Sequence, residues 1–459
     1  MIMKGDHPKT KIYFYGGAGG VTGANYILEI GNYRIMIDCG LFQGSRFAEE
    51  QNHEKFGFDA SGVQTLFVTH AHVDHVGRIP KLYKEGFRGT IISTPPTRDL
   101  AEVMLTDAIK IMEHEVEDRG GTPLYTREDL NASLKLFTPV PYNKEIPLPG
   151  GVSVFLRDSA HILGSAMIEI HTENSKIVFT GDLGNTPAPL LNDIYPLEEV
   201  DYLSMESVYG NRFHESLATR KLTLERLIED TVTTGGSIII PAFALERSQA
   251  LLSELNELVE NHRIPRIPVF VDSPLAINAT EVYKKYGSYF NEESQFAIKK
   301  GDDLFKFPGL TFTPTREASQ KINDVKGQKI IIAGNPHGYG SRIMYHFLRY
   351  LPDPHSTIIF IGFPRVSSIG RRLMDGEKEV KIHGRMIPAR ARITNISSYS
   401  SHADQTQLKN FVARLKKPVK QIFVTMGEEE GSRIFARLIR DELGLQATVP
   451  KIGDVVELD

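Results

Sequence analysis

The stretch that decides the fold is His70-Ala71-His72-Val73-Asp74-His75, which comes just after an apolar run at residues 65–68. A short apolar run of this kind predicts a buried strand. The four polar side chains are therefore expected on one loop at the carboxyl end of that strand. Imidazole and carboxylate groups suit zinc and similar divalent ions, and a catalytic site needs about three protein ligands and one open position. The stretch predicts a metal-dependent hydrolase.

Two other predicted strands end in a residue of the same chemical type. The run at residues 152–156 leads to His161, and the run at residues 177–180 leads to Asp182. Taken singly, His161 is more often a core histidine and Asp182 a turn residue. Their joint position at strand ends favours both as metal ligands. Asp38, which also follows a strand, is expected to hold a ligand histidine in the correct tautomer.

The composition is typical of a folded globular protein. The chain has 459 residues, of which 41% are hydrophobic and 24% charged, enough for two or three domains of about 150 residues. Cys39 is the only cysteine, which excludes a secreted scaffold framed by disulfides. No stretch of about 18 apolar residues could span a bilayer, and the first residues contain no apolar signal segment. These features predict a cytoplasmic protein with no membrane partner.

The net charge of −4 does not by itself indicate a nucleic-acid partner. A local surplus exists, however, because residues 361–395 contain eight Lys and Arg but three acidic residues. We expect contact with a polyanion there. The alternative interpretation is an ordinary solvated face with many charges.

Two patterns of secondary structure divide the chain. Up to about residue 200, short apolar runs alternate with turns and with a helical pattern at residues 97–119, which predicts layered α/β sheets. From about residue 212, helices alternate with buried strands, as in a doubly wound parallel sheet. Short strands return after residue 375, and the last is predicted at residues 421–424. We predict a first domain at 1–207, a second at 208–372, and the completion of the first at 373–459.

Further motifs accompany the metal stretch. One set is Tyr15-Gly16-Gly17-Ala18-Gly19-Gly20-Val21-Thr22-Gly23, Asp38-Cys39-Gly40-Leu41-Phe42-Gln43-Gly44, His161-Ile162-Leu163-Gly164-Ser165-Ala166 and Thr180-Gly181-Asp182-Leu183-Gly184-Asn185. A second set is Glu206-Ser207-Val208-Tyr209-Gly210, Pro241-Ala242-Phe243-Ala244-Leu245-Glu246-Arg247, Asp272-Ser273-Pro274-Leu275-Ala276 and Tyr399-Ser400-Ser401-His402-Ala403-Asp404. With these motifs the chain resembles metallo-β-lactamase-fold hydrolases of the β-CASP ribonuclease family, which includes RNA 3′-end-processing endonucleases and RNase J. The resemblance covers nearly the whole chain.

The resemblance implies a fold and a site. The fold is an α/β protein, a metallo-β-lactamase αββα sandwich with an inserted β-CASP domain built on a parallel sheet. Two zinc ions are implied, with the ligands His70, His72 and His161 at the first, Asp74 and His75 at the second, and Asp182 as the bridge. The implied catalytic residues are Asp74, His402, which gives a hydrogen bond or proton near the scissile phosphate, and Glu206, which supports it. The alternative for Glu206 is a salt-bridging acid.

The segment Phe423-Val424-Thr425-Met426-Gly427-Glu428 departs from the family pattern, which has a His-Gly-Glu turn here. In the family this histidine completes the shell of the second metal ion. The thioether of Met426 is a soft, weak donor that cannot replace an imidazole. We therefore predict that the first zinc binds tightly, whereas the second is labile, completed by water or absent.

Two segments on the predicted substrate side also depart from the family pattern. A Ser-Gly-Met turn is replaced by residues 334–342, in which His337 is either a ligand or a loop histidine facing water. A Gly-Thr turn is replaced by residues 367–371. Hydroxyls and backbone N–H groups at a helix start can still hold phosphate. The predicted substrate-binding residues are Ser341, Arg342, Ser367, Ser368 and Arg371.

These observations predict a zinc-dependent ribonuclease that hydrolyses the phosphodiester bonds of RNA. The expected substrate is single-stranded RNA, which would lie in a groove between two domains. Water activated by the metal would cut it endonucleolytically. A homodimer is a further expectation. One alternative is a catalytically weakened RNA-binding β-CASP protein with an incomplete second metal site, which Met426 favours. Another is a lactonase or thioesterase, which shares the metal motif but does not explain the insertion or the His402 segment.

Overall fold

The computed structural model of the chain describes residues 9–44, 46–334, 341–362, 364, 368–417 and 419–458. The chain divides into two compact units. Unit 1 comprises Met1–Thr186, Asp193–Phe213 and His402–Asp459, and unit 2 comprises Pro187–Asn192 and His214–Ser401. Within the described residues, no helix has both the length and the apolar content that crossing a lipid bilayer requires.

The strands are, in chain order, β1 (Thr10–Gly16), β2 (Asn25–Ile30), β3 (Tyr33–Ile37), β4 (Thr65–Phe67), β5 (Thr90–Ser93), β6 (Phe137–Pro139), β7 (Ile146–Leu148), β8 (Val152–Asp158), β9 (Ala166–His171), β10 (Lys176–Phe179), β11 (Tyr202–Glu206), β12 (Ile238–Ala242), β13 (Val269–Asp272), β14 (Leu310–Phe312), β15 (Ile330–Gly334), β16 (Thr357–Phe360), β17 (Glu379–Ile382), β18 (Arg385–Pro388), β19 (Arg392–Asn395), β20 (Gln421–Thr425), β21 (Ala447–Thr448) and β22 (Val455–Leu458).

The α-helices are α1 (Arg46–Gln51), α2 (Val73–Val76), α3 (Ile79–Lys84), α4 (Pro95–Arg119), α5 (Arg127–Leu134), α6 (Arg220–Thr233), α7 (Arg247–Glu260), α8 (Pro274–Lys285), α9 (Glu292–Lys299), α10 (Arg316–Lys321), α11 (Arg342–Tyr350), α12 (Ile369–Met374), α13 (Gln405–Ala413) and α14 (Glu429–Leu443).

Unit 1 contains two seven-stranded sheets that pack face to face. Their orders are β22-β1-β2-β3-β4-β5-β6 and β21-β20-β11-β10-β9-β8-β7. Side chains from both sheets fill one apolar core, in which the rings of Phe14 and Phe423 lie 5.4 Å apart between centroids. On the other face of the second sheet, α13 and α14 bury Leu408 and Phe435. Unit 1 is therefore the αββα sandwich of the metallo-β-lactamase fold.

Unit 2 is built on a six-stranded sheet in the order β14-β13-β15-β12-β16-β19, all of whose neighbours run parallel. The central strands β12 and β15 begin with runs of isoleucine that are buried, as expected for strands covered on both faces. β17 and β18 form a separate antiparallel hairpin.

The structure differs from the sequence predictions at several elements. α4 begins two residues before the predicted residue 97, because Pro95 fits the first helical turn and the Thr94 side chain caps it. The prediction that the last strand lies at residues 421–424 is wrong, since β21 and β22 follow. β22 pairs with β1, although its residues are half exposed and give a weak apolar signal.

β19 pairs in parallel with β16 in unit 2, so the chain returns to unit 1 only at His402. The sequence instead placed the boundary at 372/373, because short strands after residue 375 resembled those of the first domain. The predicted domains 1–207, 208–372 and 373–459 stay a prediction.

Candidate metal centre

The predicted ligands lie where strands of unit 1 end. The loop from His70 to His75 follows β4, His161 follows β8, and Asp182 follows β10. β4 runs parallel to its neighbours in the first sheet, and β10, β11 and β20 run parallel in the second. The carboxyl ends of these strands therefore bring the polar loops together at one edge of the sandwich.

Three histidines and one aspartate converge there. His70 Nε2 lies 3.1 Å and His161 Nε2 3.2 Å from His72 Nδ1. Asp182 Oδ2 is 3.5 Å from Nε2 of both His70 and His161. His70, His161 and Asp182 are buried, whereas His72 is half-buried. One donor atom from each of these four residues could bind a single metal ion.

The chemistry of these donors fits a divalent cation. Neutral ring nitrogens that face one another this closely crowd their lone pairs unless a proton or a cation lies among them. Burial lowers the pKa of His70 well below its usual value, so its imidazole is neutral and able to coordinate. Three imidazoles with one carboxylate is a donor set typical of zinc and related ions.

His75 faces Asp182 from another side. Its Nε2 lies 3.5 Å from Asp182 Oδ1, and neither atom makes a hydrogen bond within the described part of the chain although both are buried. The Asp38 carboxylate lies 2.7 Å from His75 Nδ1, which directs the opposite ring nitrogen toward Asp182 as a lone-pair donor. These two orphaned atoms are suited to a second cation. Asp74, which is half-buried, belongs to neither group of converging ligand atoms.

Met426 lies beside this second position. It follows β20, is 2% exposed, and belongs to the apolar core of the sandwich. Together with His75, Asp38 and Tyr26 it lines a small cavity. A cation in that cavity would meet a thioether where the family has an imidazole, so this position has fewer strong donors than the first.

Glu206 and His402 form a pair next to Asp182. His402 Nδ1 lies 3.3 Å from Glu206 Oε1 and 3.8 Å from Asp182 Oδ2. Glu206 is buried, and its two oxygens accept hydrogen bonds from the backbone N–H groups of Leu183 (2.7 Å) and Val208 (3.1 Å). Burial raises the pKa of Glu206 above its usual value. The carboxylate is therefore fixed in position and faces one nitrogen of the His402 ring.

Several supporting residues were missed by the sequence analysis. Thr69 donates its hydroxyl to Asp38 Oδ2 (2.7 Å) and lies 3.1 Å from His70 Nδ1, so it links the carboxylate to two ligand histidines. Gly40 allows the backbone to pass the metal loop, because a Cβ there would lie 1.5 Å from the Asp74 carbonyl oxygen. The sequence signal for Gly40 was its place in the quoted Asp38 motif. Thr69 gave none, since its contact with Asp38 joins residues that are 31 positions apart.

The predicted substrate residues lie in unit 2, except that Ser367 falls outside the described residues, as does His337. Arg342 donates to Asp272 Oδ1 (2.7 Å), and Arg371 pairs with Asp375 (2.9 Å). Ser368 caps α12 by accepting the backbone N–H of Arg371. The Ser341 hydroxyl is buried and makes no hydrogen bond to any described residue. Their role in binding substrate stays a prediction.

The sandwich and its converging histidines define a hydrolase of the metallo-β-lactamase fold. Three family models match the chain: the metallo-beta-lactamase superfamily at residues 18–232, the Beta-Casp domain at 248–373, and the Zn-dependent metallo-hydrolase RNA specificity domain at 386–450. A solved structure of a protein of unknown function from Enterococcus faecalis is similar in fold, with a TM-score of 0.57, 13% identity, and coverage of 98% of this chain and 100% of that one.

Curated relatives cover almost the whole chain. A ribonuclease of Thermus thermophilus is 32% identical and covers 97% of this chain and 99% of its own. An RNase J-like protein of Methanocaldococcus jannaschii is 28% identical, with coverage of 97% and 99%. Transcription termination factor FttA of Methanosarcina mazei is also 28% identical, with coverage of 94% and 69%. The chain belongs to the β-CASP ribonuclease family of metal-dependent, metallo-β-lactamase-fold hydrolases.

Proposed function

We propose that the chain is a zinc-dependent endoribonuclease that hydrolyses phosphodiester bonds of single-stranded RNA in the cytoplasm. The observation that carries the proposal is the convergence of three imidazole nitrogens on the Asp182 carboxylate. The ribonuclease named among the relatives, which matches along nearly its full length, supports RNA as the substrate. The RNA specificity model at residues 386–450 supports the same substrate.

His70, His72, His161 and Asp182 would hold the tightly bound zinc. When bound, zinc supplies Lewis acidity, which neutralises phosphate charge and lowers the pKa of a water molecule toward neutrality. Asp182 would also reach the second position through its Oδ1 atom, which lies 3.5 Å from His75 Nε2. Thr69 and Asp38 keep the ligand rings oriented, because they contact the Nδ1 atoms of His70 and His75.

His402 would assist the departure of the ribose oxygen. Glu206 faces His402 Nδ1, so the proton that is given to the leaving oxygen would be carried on the opposite nitrogen, Nε2. The Glu206 carboxylate would stabilise the protonated His402 ring before this transfer. Ala403 donates its backbone N–H to the carbonyl of Leu183 (2.8 Å), which fixes the segment that carries His402 beside Asp182.

The second candidate function is a catalytically weakened RNA-binding protein. The observation that favours it is the buried thioether of Met426 beside His75, where a second imidazole is expected. On this hypothesis the first metal position remains, but the pair of metal ions that usually clamps the attacking and leaving oxygens is incomplete.

The test is a substrate panel of single-stranded RNA, single-stranded DNA and small esters, assayed with Zn²⁺ and with Mn²⁺. Internal cleavage of RNA is expected, and Asp182→Ala should reduce its rate by about 1,000-fold or more. Lys306→Ala, an exposed change in unit 2, is the control. Full RNA cleavage by the Asp182 variant would refute the site, binding without cleavage would favour the second function, and preferred ester hydrolysis would refute both. Sedimentation of the same preparation tests the predicted homodimer.

A further inference from the structure

The hairpin of β17 and β18 in unit 2 carries a dense set of exposed cations. Its two strands are joined by His383 and Gly384, whose φ angles of 45° and 80° define a tight two-residue turn. Val380 and Ile382 are buried in the core of unit 2 and anchor the hairpin there. Lys381, Arg385 and Met386 are exposed, whereas Ile387 also packs against the core.

The charge of the hairpin is unbalanced. Residues 378–390 contain four cations and one carboxylate, although the whole chain has a net charge of −4. The cations are Lys378, Lys381, Arg385 and Arg390, all exposed, and none has a carboxylate at ion-pair distance in the described part of the structure. The arginines of the preceding helix α12 are, by contrast, paired with Asp375 and Glu377. Lys381 is paired with Met386, and Arg385 with Ile382, so the two strand cations lie on opposite faces of the hairpin, next to its turn. Four cations without a described counter-charge in this short segment favour a polyanionic partner.

An aromatic residue stands beside these cations. Tyr345 on α11 is 56% exposed, and its ring lies 5.0 Å from that of His383 at an angle of 31°. The opposite face of α11 buries Ile343 and Phe347 in the same core that holds the hairpin. Both rings are therefore fixed with respect to the cations. Met386, on the outer face of the hairpin, is 52% exposed and adds an apolar side chain to this region.

We propose that the turn end of the hairpin together with Tyr345, which we call the hairpin face (Tyr345, Lys381, His383, Arg385 and Met386), binds single-stranded RNA. The cations form ion pairs with the phosphates, and the exposed Tyr345 ring stacks on an unpaired base. Stacking requires bases that are free of a duplex, which is why a single strand is the partner. The inference rests on the proposed function, because it names a surface, distinct from the candidate metal ligands, that would bind the RNA substrate.

The test measures RNA affinity with the metal-loaded protein. A short fluorescein-labelled oligouridylate with phosphorothioate linkages, which resist hydrolysis, is titrated by fluorescence anisotropy at several salt concentrations. The double variant Lys381→Glu with Arg385→Glu should raise the Kd about ten-fold or more and flatten its salt dependence. Tyr345→Ala should raise the Kd about five-fold or more at every salt concentration, because stacking is not ionic.

Matched controls separate these effects from general changes of charge or stability. Lys306→Glu with Lys326→Glu makes the same change of charge at exposed lysines of unit 2, and Phe296→Ala removes another exposed ring. Both should leave the Kd within about two-fold of the native value. Equal affinity of the hairpin variant and its control would overturn the proposal, as would tighter binding of duplex than of single-stranded RNA.

Hydrolysis of bis(p-nitrophenyl) phosphate distinguishes this inference from the proposed function. The small ester has no strand to place on the hairpin face, so its hydrolysis should be equal in the native protein and in the hairpin variants. If neither the native protein nor any variant hydrolyses ester or RNA, but the hairpin variants bind RNA more weakly, the proposed function is refuted and the hairpin face is supported. If the hairpin variants cleave ester and RNA and bind RNA as tightly as the native protein does, the proposed function is supported and the hairpin face is refuted.

Discussion

At the scale of single residues, we expect Met426 to limit how many metal ions the centre can hold. The first position has three imidazoles and a carboxylate. At the second, His75 Nε2 and Asp182 Oδ1 have no hydrogen-bond partner among the described residues, and the cavity that His75 lines is also lined by a thioether. A buried donor pair without a third strong ligand binds a cation weakly, because two ligands do not compensate for the hydration free energy that the cation loses.

We expect Met426→His to add a second tightly held zinc. The new imidazole would line the cavity beside His75, and elemental analysis after gel filtration should rise from about one zinc per chain toward two. Met426→Leu, which removes the sulfur and keeps the apolar volume, should leave the metal content unchanged. Two tightly held zinc ions in the native protein would contradict the prediction.

The sequence indicated which residues converge better than it indicated what supports them. His70, His72, His161 and Asp182 could be singled out because each follows a recognisable apolar run. The contact between Thr69 and Asp38 could not be predicted, since the two residues are 31 positions apart. The positive φ of Asp38, 58°, likewise results from the packing of the loops and could not be predicted from the residue type.

At the scale of elements, Asp272 joins β13 to two helices of unit 2. Its fully buried carboxylate accepts hydrogen bonds from Thr313, Ser319, Arg342 and His346, each at 2.7 Å. Burial raises its pKa, but the hydrogen bonds from His346, Ser319 and Thr313 outweigh burial and hold the pKa at about 2. The ionised form therefore stabilises the folded unit.

The consequence for stability has a definite sign. Because the folded pKa of Asp272 is below the unfolded value, its contribution is complete above about pH 4 and is lost as the pH falls toward 2. Asp272→Asn should reduce the free energy of unfolding by about 3 kcal/mol at neutral pH. Between about pH 5 and pH 3 the native protein should lose about 1 kcal/mol more than the variant.

Urea denaturation followed by circular dichroism measures both quantities. Asp324→Asn, which changes an exposed carboxylate of the same unit, should match the native protein within about 0.5 kcal/mol. Parallel pH curves for the native protein and Asp272→Asn would contradict the assignment of a stabilising, ionised carboxylate.

Strongly periodic elements were predictable and short ones were not. The helices that the sequence predicted after about residue 212 include α7, whose apolar positions repeat along most of the helix. β6, β7 and β14 have three residues each, too few to show alternation. α14 was missed although one face is buried, because its charged residues outnumber the apolar ones that mark that face.

At the scale of the molecule, the converging ligands found among the described residues belong to unit 1, whereas unit 2 has an apolar core of its own. Binding energy that metal ions contribute to the folded state should therefore stabilise one unit and not the other. The fold class was predicted because both sheet patterns are evident in the sequence. The return of the chain at His402 was not, since β19 resembles any other short strand.

Calorimetry tests this division. Removal of metal by EDTA should lower the melting temperature of one transition by roughly 5–10 °C, if free zinc exceeds its dissociation constant about 100-fold. The other transition should not move. His72→Ala should show the lower melting temperature with or without EDTA. Equal shifts of all transitions would contradict a centre that is confined to unit 1.

The three-part construction of unit 1 has a consequence for synthesis on the ribosome. β1 lies between β2 and β22, and β20 and β21 complete the second sheet beyond β11, so both sheets keep an unpaired edge until the final segment emerges. Unit 2, whose sheet is encoded by residues 214–401, can close before that segment is translated. His402 therefore joins Glu206 only late in translation. We therefore expect a nascent chain that has not yet emerged beyond residue 401 to lack nuclease activity, even though its first two-fifths carry the converging histidines.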